Sequence, residues 1–450
     1  MKIPRDQIRR WLQQCKEDEP LDPQDRRYVA LEDFERDGQR VTIRGGDWTQ
    51  PLFDCIDLAG EQATAQLFSG YIGTGKSTEL RRLTHRLEEA GYDVLLIDAE
   101  RYHDLAHPLM IQDLLVILAG AFGEKTQDRV GKKILGKGYW ERFLDFLQQE
   151  IDLKSIRIPG GVLDLQASVR HGHTSFWRDI QRALEASLGR LGAHVHGFIR
   201  ECVAALESKT PDKRGVVFIF DSLERLRGSL DQFYDTMESV GRVFDQHAQL
   251  LHLPGCHCIY TVPPYAELIH PNLARRYSMP IHQPLPAVKV TQRGQELSPH
   301  RDGIDKLAEL TDRRIPLDTV FGDRRDLLDK LILYSGGHVR TLINFIKVLL
   351  IRNVDRDFPP SEAMVQSILD DYAERIRESI RPEGVQVLDS VRRTASLADI
   401  EDDKMPLLAR YVDNHIVLCY RNGEGWYELH PLIREHIRQR AEGVAGAARP

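Results

Sequence analysis

Gly70, Gly75, Lys76 and Ser77 stand at the spacing G-x-x-x-x-G-K-[ST], and Gly73 opens the same loop further. The chemistry such a run performs is phosphate binding. Glycines let successive backbone N–H groups turn inward around phosphate oxygens. Lys76 then reaches the β- and γ-phosphates, and the Ser77 hydroxyl takes a magnesium ion. Thr74 and Thr78 complete the candidate cradle, and the positive end of a following helix adds to the anion site. The alternative is a glycine-rich hairpin carrying an accidental Lys-Ser, so the flanking elements must decide.

A phosphate-bound magnesium ion also needs an acid. Val216-Val-Phe-Ile-Phe220 is a continuous apolar run that ends in Asp221. It fits a central parallel strand covered on both faces, with Asp221 at the carboxyl end where ligands bind in open α/β sheets. Asp221 is the expected second magnesium ligand, acting through water. Glu224 either polarises the attacking water as a general base or caps the turn and pairs with Arg225 or Arg227.

The elements around these residues have the required order. Residues 65–69 read as a short strand leading into the loop. Leu80, Leu83 and Leu87 follow at helical spacing, with Gly91 as the stop. Residues 92–98 read as a buried strand. Cys256-His-Cys-Ile-Tyr-Thr-Val-Pro-Pro264 reads as a further core strand. There Cys256 and Cys258 share one face and His257 points to the other, so a strand is preferred to a metal site. Ser335-Gly-Gly-His-Val-Arg-Thr-Leu342 opens a helix with Leu342, Phe345, Ile346 and Leu349 along one side.

From about Pro359 the pattern changes. Ser361 caps a helix to Arg377, residues 382–394 form a second, and residues 402–412 a third. Two β-rich runs follow, 415–420 and 425–429, joined across Asn422-Gly423, a strong hairpin signal. Three helices and a two-stranded wing make a winged-helix domain. Its third helix carries Asp402, Asp403 and Asp413 against Lys404 and Arg410, a poor match to a phosphate backbone. DNA binding is therefore not favoured.

Composition sets the frame. A chain of 450 residues has room for about three domains. Sixty-one basic against 68 acidic residues leave a net charge of −7, which excludes a globally basic surface for nucleic acid or anionic lipid. Six scattered cysteines without a C-x-x-C pattern point to reduced thiols and a cytoplasmic setting. No apolar signal segment opens the chain, and no uninterrupted apolar run is long enough to cross a membrane.

With both motifs in place, the chain resembles the AAA+ and signal-transducing (STAND) ATPases within the P-loop NTPases, a group that includes origin-recognition, NACHT and NB-ARC modules. Phe220-Asp-Ser-Leu-Glu-Arg225 looks like the hydrophobic-Asp-x-x-acid form of that group. Ser222 replaces the second acid of typical AAA+ proteins, which implies slow hydrolysis. Further residues take roles by resemblance. Residues 41–48 are similar to the segment lining the adenine pocket. Thr261 matches sensor 1, although a β-branched residue in a strand needs no special reason. Arg275 or Arg276, with Arg276 preferred, matches the arginine finger presented to a neighbouring subunit, the alternative being a surface pair. Arg340 matches the sensor 2 arginine of the lid, the alternative being an ordinary exposed Arg. His430, in Leu429-His-Pro-Leu-Ile-Arg-Glu435, matches the winged-helix histidine that touches ADP phosphate, with Pro431 where the group has Asp.

The expected architecture is an α/β fold: a P-loop NTPase parallel sheet sandwiched by helices, then a helical lid and a C-terminal winged helix. The expected boundaries are an N-terminal docking segment 1–40, the ATPase core 41–290 with an insertion at about 122–214, a lid 291–358 and a winged helix 359–450. The insertion faces a partner; it carries a basic loop at 125–137, read as a solvated loop with nucleic-acid contact as the alternative, and a hairpin at 155–169. No internal repeat is visible. The resemblance implies an ATP/ADP- and Mg²⁺-dependent switch that hydrolyses ATP slowly and forms a homo-oligomer. It also implies a separately encoded effector, with bacterial antiviral defence as the setting. The rival is an origin-recognition-like ATPase that binds DNA through its winged helix. The bland option is a nucleotide held as a structural cofactor.

Overall fold

The computed structural model describes residues 1–102, 109–131, 138–150, 181, 184–223, 233–279, 284–294 and 298–447. Glu224 and the expected hairpin at 155–169 lie outside the described residues, as does the 132–137 part of the expected basic loop, whereas its 125–130 part is not a loop but the end of a helix. The chain divides into two units. One joins residues 1–48, 70–79 and 284–450; the other joins residues 49–69 and 80–283.

The second unit holds the sheet. Strands β3 (Ala65–Ser69), β4 (Asp93–Asp98), β5 (Val216–Asp221) and β6 (Cys256–Val262) are all parallel, in the order β3-β6-β5-β4. Every residue of β3, β5 and β6 is buried, as continuous apolar strands covered on both faces must be. The register is Phe68 opposite Thr261 and Phe220 opposite Tyr260. Asp221 and Thr261 therefore stand at the same end of the sheet as Ser69, where the chain enters the glycine loop.

Helices α2 (Gln50–Ala59), α4 (Ile111–Val130), α5 (Tyr139–Glu150), α6 (Leu188–Lys209) and α7 (Phe233–Gly241) complete this unit. Helix α3 (Lys76–Glu89) starts in the glycine loop and continues into it. The apolar stretch from Leu109 becomes α4, buried from Ile111 to Gly123. Gly120 lies under Trp140, where an added Cβ would come within 2.3 Å of the ring. Among the described residues no helix is long and apolar enough to cross a membrane. Cys256 and Cys258 present their thiols 3.8 Å apart on one face of β6, and His257 Nδ1 lies 3.0 Å from Thr64 Oγ1 on the other. No group of three or more metal-ligating side chains occurs among the described residues.

The first unit begins with α1 (Arg5–Gln14) and the short hairpin β1 (Phe34–Arg36) and β2 (Gln39–Val41). Helices α8 (Arg301–Asp312), α9 (Arg325–Tyr334), α10 (Val339–Arg352) and α11 (Glu362–Glu378) share one apolar core with Ile8 and Trp11 of α1. Ser361 caps α11, its Oγ accepting from Met364 N at 3.3 Å. Helices α12 (Gly384–Thr394) and α13 (Met405–Asp413), strands β7 (Val417–Asn422) and β8 (Glu424–Leu429), and α14 (Arg434–Ala447) follow. The β7–β8 pairing runs to Asn422 opposite Glu424, with Gly423 at φ 79° at the tip. Three helices and a hairpin wing are thus present in the order read from the sequence.

Candidate functional site

The glycine loop is shaped as phosphate binding requires. Gly73 and Gly75 adopt φ of 89° and 98°, values open to glycine and costly for other residues. Lys76 is 3% exposed and its Nζ donates to Gly70 O at 3.2 Å, so the ammonium curls back over the loop. Thr74 turns inward, its Oγ1 donating to Tyr71 O at 2.8 Å. Ser77 occupies the first turn of α3. The Thr78 hydroxyl accepts from Leu21 N at 3.1 Å and so ties the loop to the N-terminal segment.

Arg44 is a buried cation behind this loop that the sequence does not single out. It is 2% exposed, donates from Nε to Pro286 O at 2.9 Å, and hydrogen-bonds Thr74 O through a terminal amino group. Its other amino group lies 3.8 Å from Glu79. Asp33 positions the segment: one carboxylate oxygen accepts from Ile43 N, Arg44 N and Gly45 N at 3.0, 3.1 and 3.0 Å. Trp48, at the end of the segment, donates to Arg44 O at 3.0 Å, and the Arg421 guanidinium lies 5.7 Å from its ring.

The lid reaches the loop through its helix start. Arg340 N donates to Gly73 O at 3.1 Å, and Arg340 Nε donates to Glu17 O at 3.1 Å. A Cβ on Gly73 would fall 2.6 Å from Arg340 Cβ, so only glycine admits this approach. His338 caps α10, its Nδ1 accepting from Thr341 N at 3.3 Å. Its Nε2 then carries the proton and donates to Ile72 O at 2.7 Å.

The winged helix reaches the same carbonyl. His415 Nε2 lies 2.7 Å from Ile72 O, and His415 Nδ1 lies 3.0 Å from Asp413 O. The His338 and His415 rings meet edge to face at 4.3 Å. His415 holds φ at 61°, an uncommon conformation for a residue with a Cβ. His415 carries no motif signature, and the pattern shows only the start of a strand there.

His430 is placed differently from these two. It is 1% exposed, its Nδ1 accepts from Leu432 N at 3.4 Å, and its ring lies 5.7 Å from Tyr372. Its Nε2 has no hydrogen-bond partner among the described residues. Burial, then the charge of nearby His338, pushes its pKa down to about 3. The sign follows: between about pH 6.5 and 3 the unfolded chain takes up a proton that the folded one refuses. Stability therefore falls as pH falls through that window, by at most about 1.4 kcal/mol per unit. Asp113 and Glu267, both raised to about 7 by burial, act oppositely and lose stability as pH rises toward 7. Comparing wild type with His430→Asn cancels those two. The variant is expected to unfold in urea with a flatter acid-side dependence between pH 6.5 and 4; an unchanged slope would refute the assignment.

At the sheet end of the second unit, Asp221 is buried and its Oδ1 accepts from Ser222 N at 2.7 Å. Ser222 is forced to φ 73°, a strained turn directly after the acid. Thr261 Oγ1 accepts from Leu223 N at 3.0 Å, so this hydroxyl holds the backbone that follows Asp221. Arg276 is ion-paired with Asp245 at 3.0 Å. Its neighbour Arg275 is exposed and has no ion-pair partner among the described residues. The Ser77 hydroxyl and the Asp221 carboxylate are hard oxygen donors, the type magnesium takes while keeping several waters.

No protein-family model matches the sequence, and no curated protein matches it. Similar solved structures include a Walker-type ATPase of Pyrococcus abyssi, at 14% identity over 87% of this chain and 95% of that one, with a TM-score of 0.35. The ORC1 protein of Aeropyrum pernix in complex with DNA is 12% identical over 89% and 93% of the two chains, with a TM-score of 0.34. Drosophila ORC bound to DNA is 10% identical over 98% and 94%, with a TM-score of 0.37. At these values the chemistry rests on this chain's own residues: a glycine loop with its lysine, and a buried acid at the end of a parallel strand.

Proposed function

We propose that the chain is an ATP-binding switch with slow hydrolysis, in which lid and winged helix close on the phosphate loop. The observation that carries this reading is the Ile72 carbonyl, approached by His338 of the lid and His415 of the winged helix. A loop that shifts when phosphate arrives or leaves must strain or break both contacts. In this reading Gly70, Gly73, Thr74, Gly75, Lys76, Ser77 and Thr78 hold the nucleotide, and Ser77 and Asp221 supply magnesium ligands. Glu224 activates water, Thr261 and Arg340 sense the γ-phosphate, and Arg276 or Arg275 serves a neighbouring subunit. By resemblance, His430 is the winged-helix contact to the ADP phosphate. Homo-oligomerisation and a separately encoded effector extend the reading by resemblance of motifs.

Mass measurement by light scattering on a sizing column tests it. A non-hydrolysable ATP analogue is expected to raise the mass relative to ADP; equal masses would refute the assembly step. Turnover separates the switch from a structural nucleotide. Wild type is expected to release phosphate slowly, and Asp221→Asn or Glu224→Gln to lower that rate about 100-fold, as loss of a metal ligand or general base does. Absence of wild-type turnover would instead mark the nucleotide as structural. DNA binding is disfavoured further by Arg421, the basic residue of the wing, whose side chain packs on Gly45 and Trp48.

A further inference from the structure

A second cationic cavity lies in the first unit, built from residues outside the glycine loop. It encloses about 400 Å³ and is lined by Arg36, Arg40, Thr42, Lys289, His300 and Asp302, among others. Its centre is Lys289, on an extended segment whose N–H donates to Ile43 O at 2.8 Å. Lys289 is only 4% exposed, yet its ammonium has no hydrogen-bond or ion-pair partner among the described residues. A buried unpaired cation is costly unless something completes it.

The surroundings supply donors and few free acceptors. His300 caps α8, its Nδ1 accepting from Gly303 N at 3.2 Å. The same ring also hydrogen-bonds the Lys289 backbone, so it is held against the segment that carries the lysine. Gly303 allows the start of α8 to press on the Lys289 backbone, since a Cβ there would lie 1.8 Å from Lys289 O. The positive end of a 12-residue helix thus adjoins the lysine. Two of the nearby carboxylates are engaged: Asp302 pairs with Arg36 at 2.7 Å, and Asp33 pairs with Arg40 at 3.2 Å besides accepting three backbone N–H groups; Asp37 also lines the cavity.

We propose that this cavity is a phosphate-binding site distinct from the glycine loop, with the Lys289 ammonium as its donor and Arg36 and Arg40 at the rim. Burial holds the Lys289 pKa below its ordinary range, against the raising effect of the Asp302 and Asp33 charges.

Calorimetric titration of inorganic phosphate into the full chain tests this, in the Lys76→Ala background so that the glycine loop contributes least. Saturable binding is expected, weakened at least tenfold by adding Lys289→Met. Absent binding, or binding indifferent to Lys289→Met, overturns the site. In chloride buffer without phosphate, Lys289→Met is expected to raise Tm, because it removes an unpaired buried charge; a fall in Tm would reveal a protein partner and overturn the site equally. A short oligonucleotide with 5′-hydroxyl ends distinguishes the source of the phosphate. Competition assigns a phosphodiester backbone, and its absence assigns a free phosphate or phosphomonoester; both results sustain the site.

Discussion

Lys76→Ala is expected to reduce ATP and ADP affinity by roughly 100- to 1,000-fold while leaving the fold intact. Hydrogen bonds to charged groups contribute about 1.5–3 kcal/mol each, and an ammonium held against two phosphates makes more than one of them. A loss of about 3–4 kcal/mol corresponds to that range of affinity. The structure limits the cost to stability. Lys76 Nζ donates to a backbone acceptor, Gly70 O, and the α3 helix it starts takes alanine well. A thermal melt without nucleotide is therefore expected to shift little, whereas the stabilisation that nucleotide gives wild type should vanish. Unchanged affinity in a fluorescent-nucleotide titration would remove the glycine loop from the mechanism, and with it the switch. ATP-dependent assembly is expected to disappear in the same variant.

Much of the nucleotide machinery was legible because it is local in sequence. Gly70, Gly73, Gly75 and Lys76 lie within seven residues, and their spacing encodes the backbone turns found at Gly73 and Gly75. The strand ending at Asp221 was legible because five apolar residues in a row suit a strand buried on both faces. Asn422-Gly423 announced the wing for the same reason: the turn chemistry sits in adjacent residues. What escaped depends on distant partners. Arg44 looks like any surface arginine until its acceptors, Thr74 O and Pro286 O, are brought together from 30 and 242 residues away. His415 gives no signal because its left-handed backbone and its acceptor Ile72 O are products of packing. Thr261 and Arg340 were singled out for phosphate sensing. Their observed partners, Leu223 N, Gly73 O and Glu17 O, are backbone groups that no periodicity foretells. Lys289 escaped for the converse reason: a lysine in an apolar segment reads as solvated until its burial is seen.

His415→Ala is expected to speed nucleotide dissociation about tenfold and to make α10 and the β7–β8 hairpin exchange amide hydrogens faster. The ring spans two carbonyls, Ile72 O at 2.7 Å and Asp413 O at 3.0 Å, and its removal frees the winged-helix side of the loop. A neutral imidazole donates to one of these carbonyls at a time, a bond worth about 0.5–1.5 kcal/mol net, whose upper end reaches the roughly 1.4 kcal/mol that a tenfold change needs. Alanine also keeps the strained φ of 61° without the contacts that hold it, which adds to the loss. His415→Gly separates these two contributions. Glycine accepts a positive φ freely, so dissociation as fast as in His415→Ala assigns the effect to the ring, and wild-type dissociation in the glycine variant assigns it to the backbone. The shared acceptor makes a stricter demand. His338 and His415 both address Ile72 O, so a double-mutant cycle between them should show coupling, with the pair costing something other than the sum of the single changes. Strict additivity, with unaltered dissociation in either single variant, would mean that lid and winged helix hold the loop independently, and the proposed joint closure would fall.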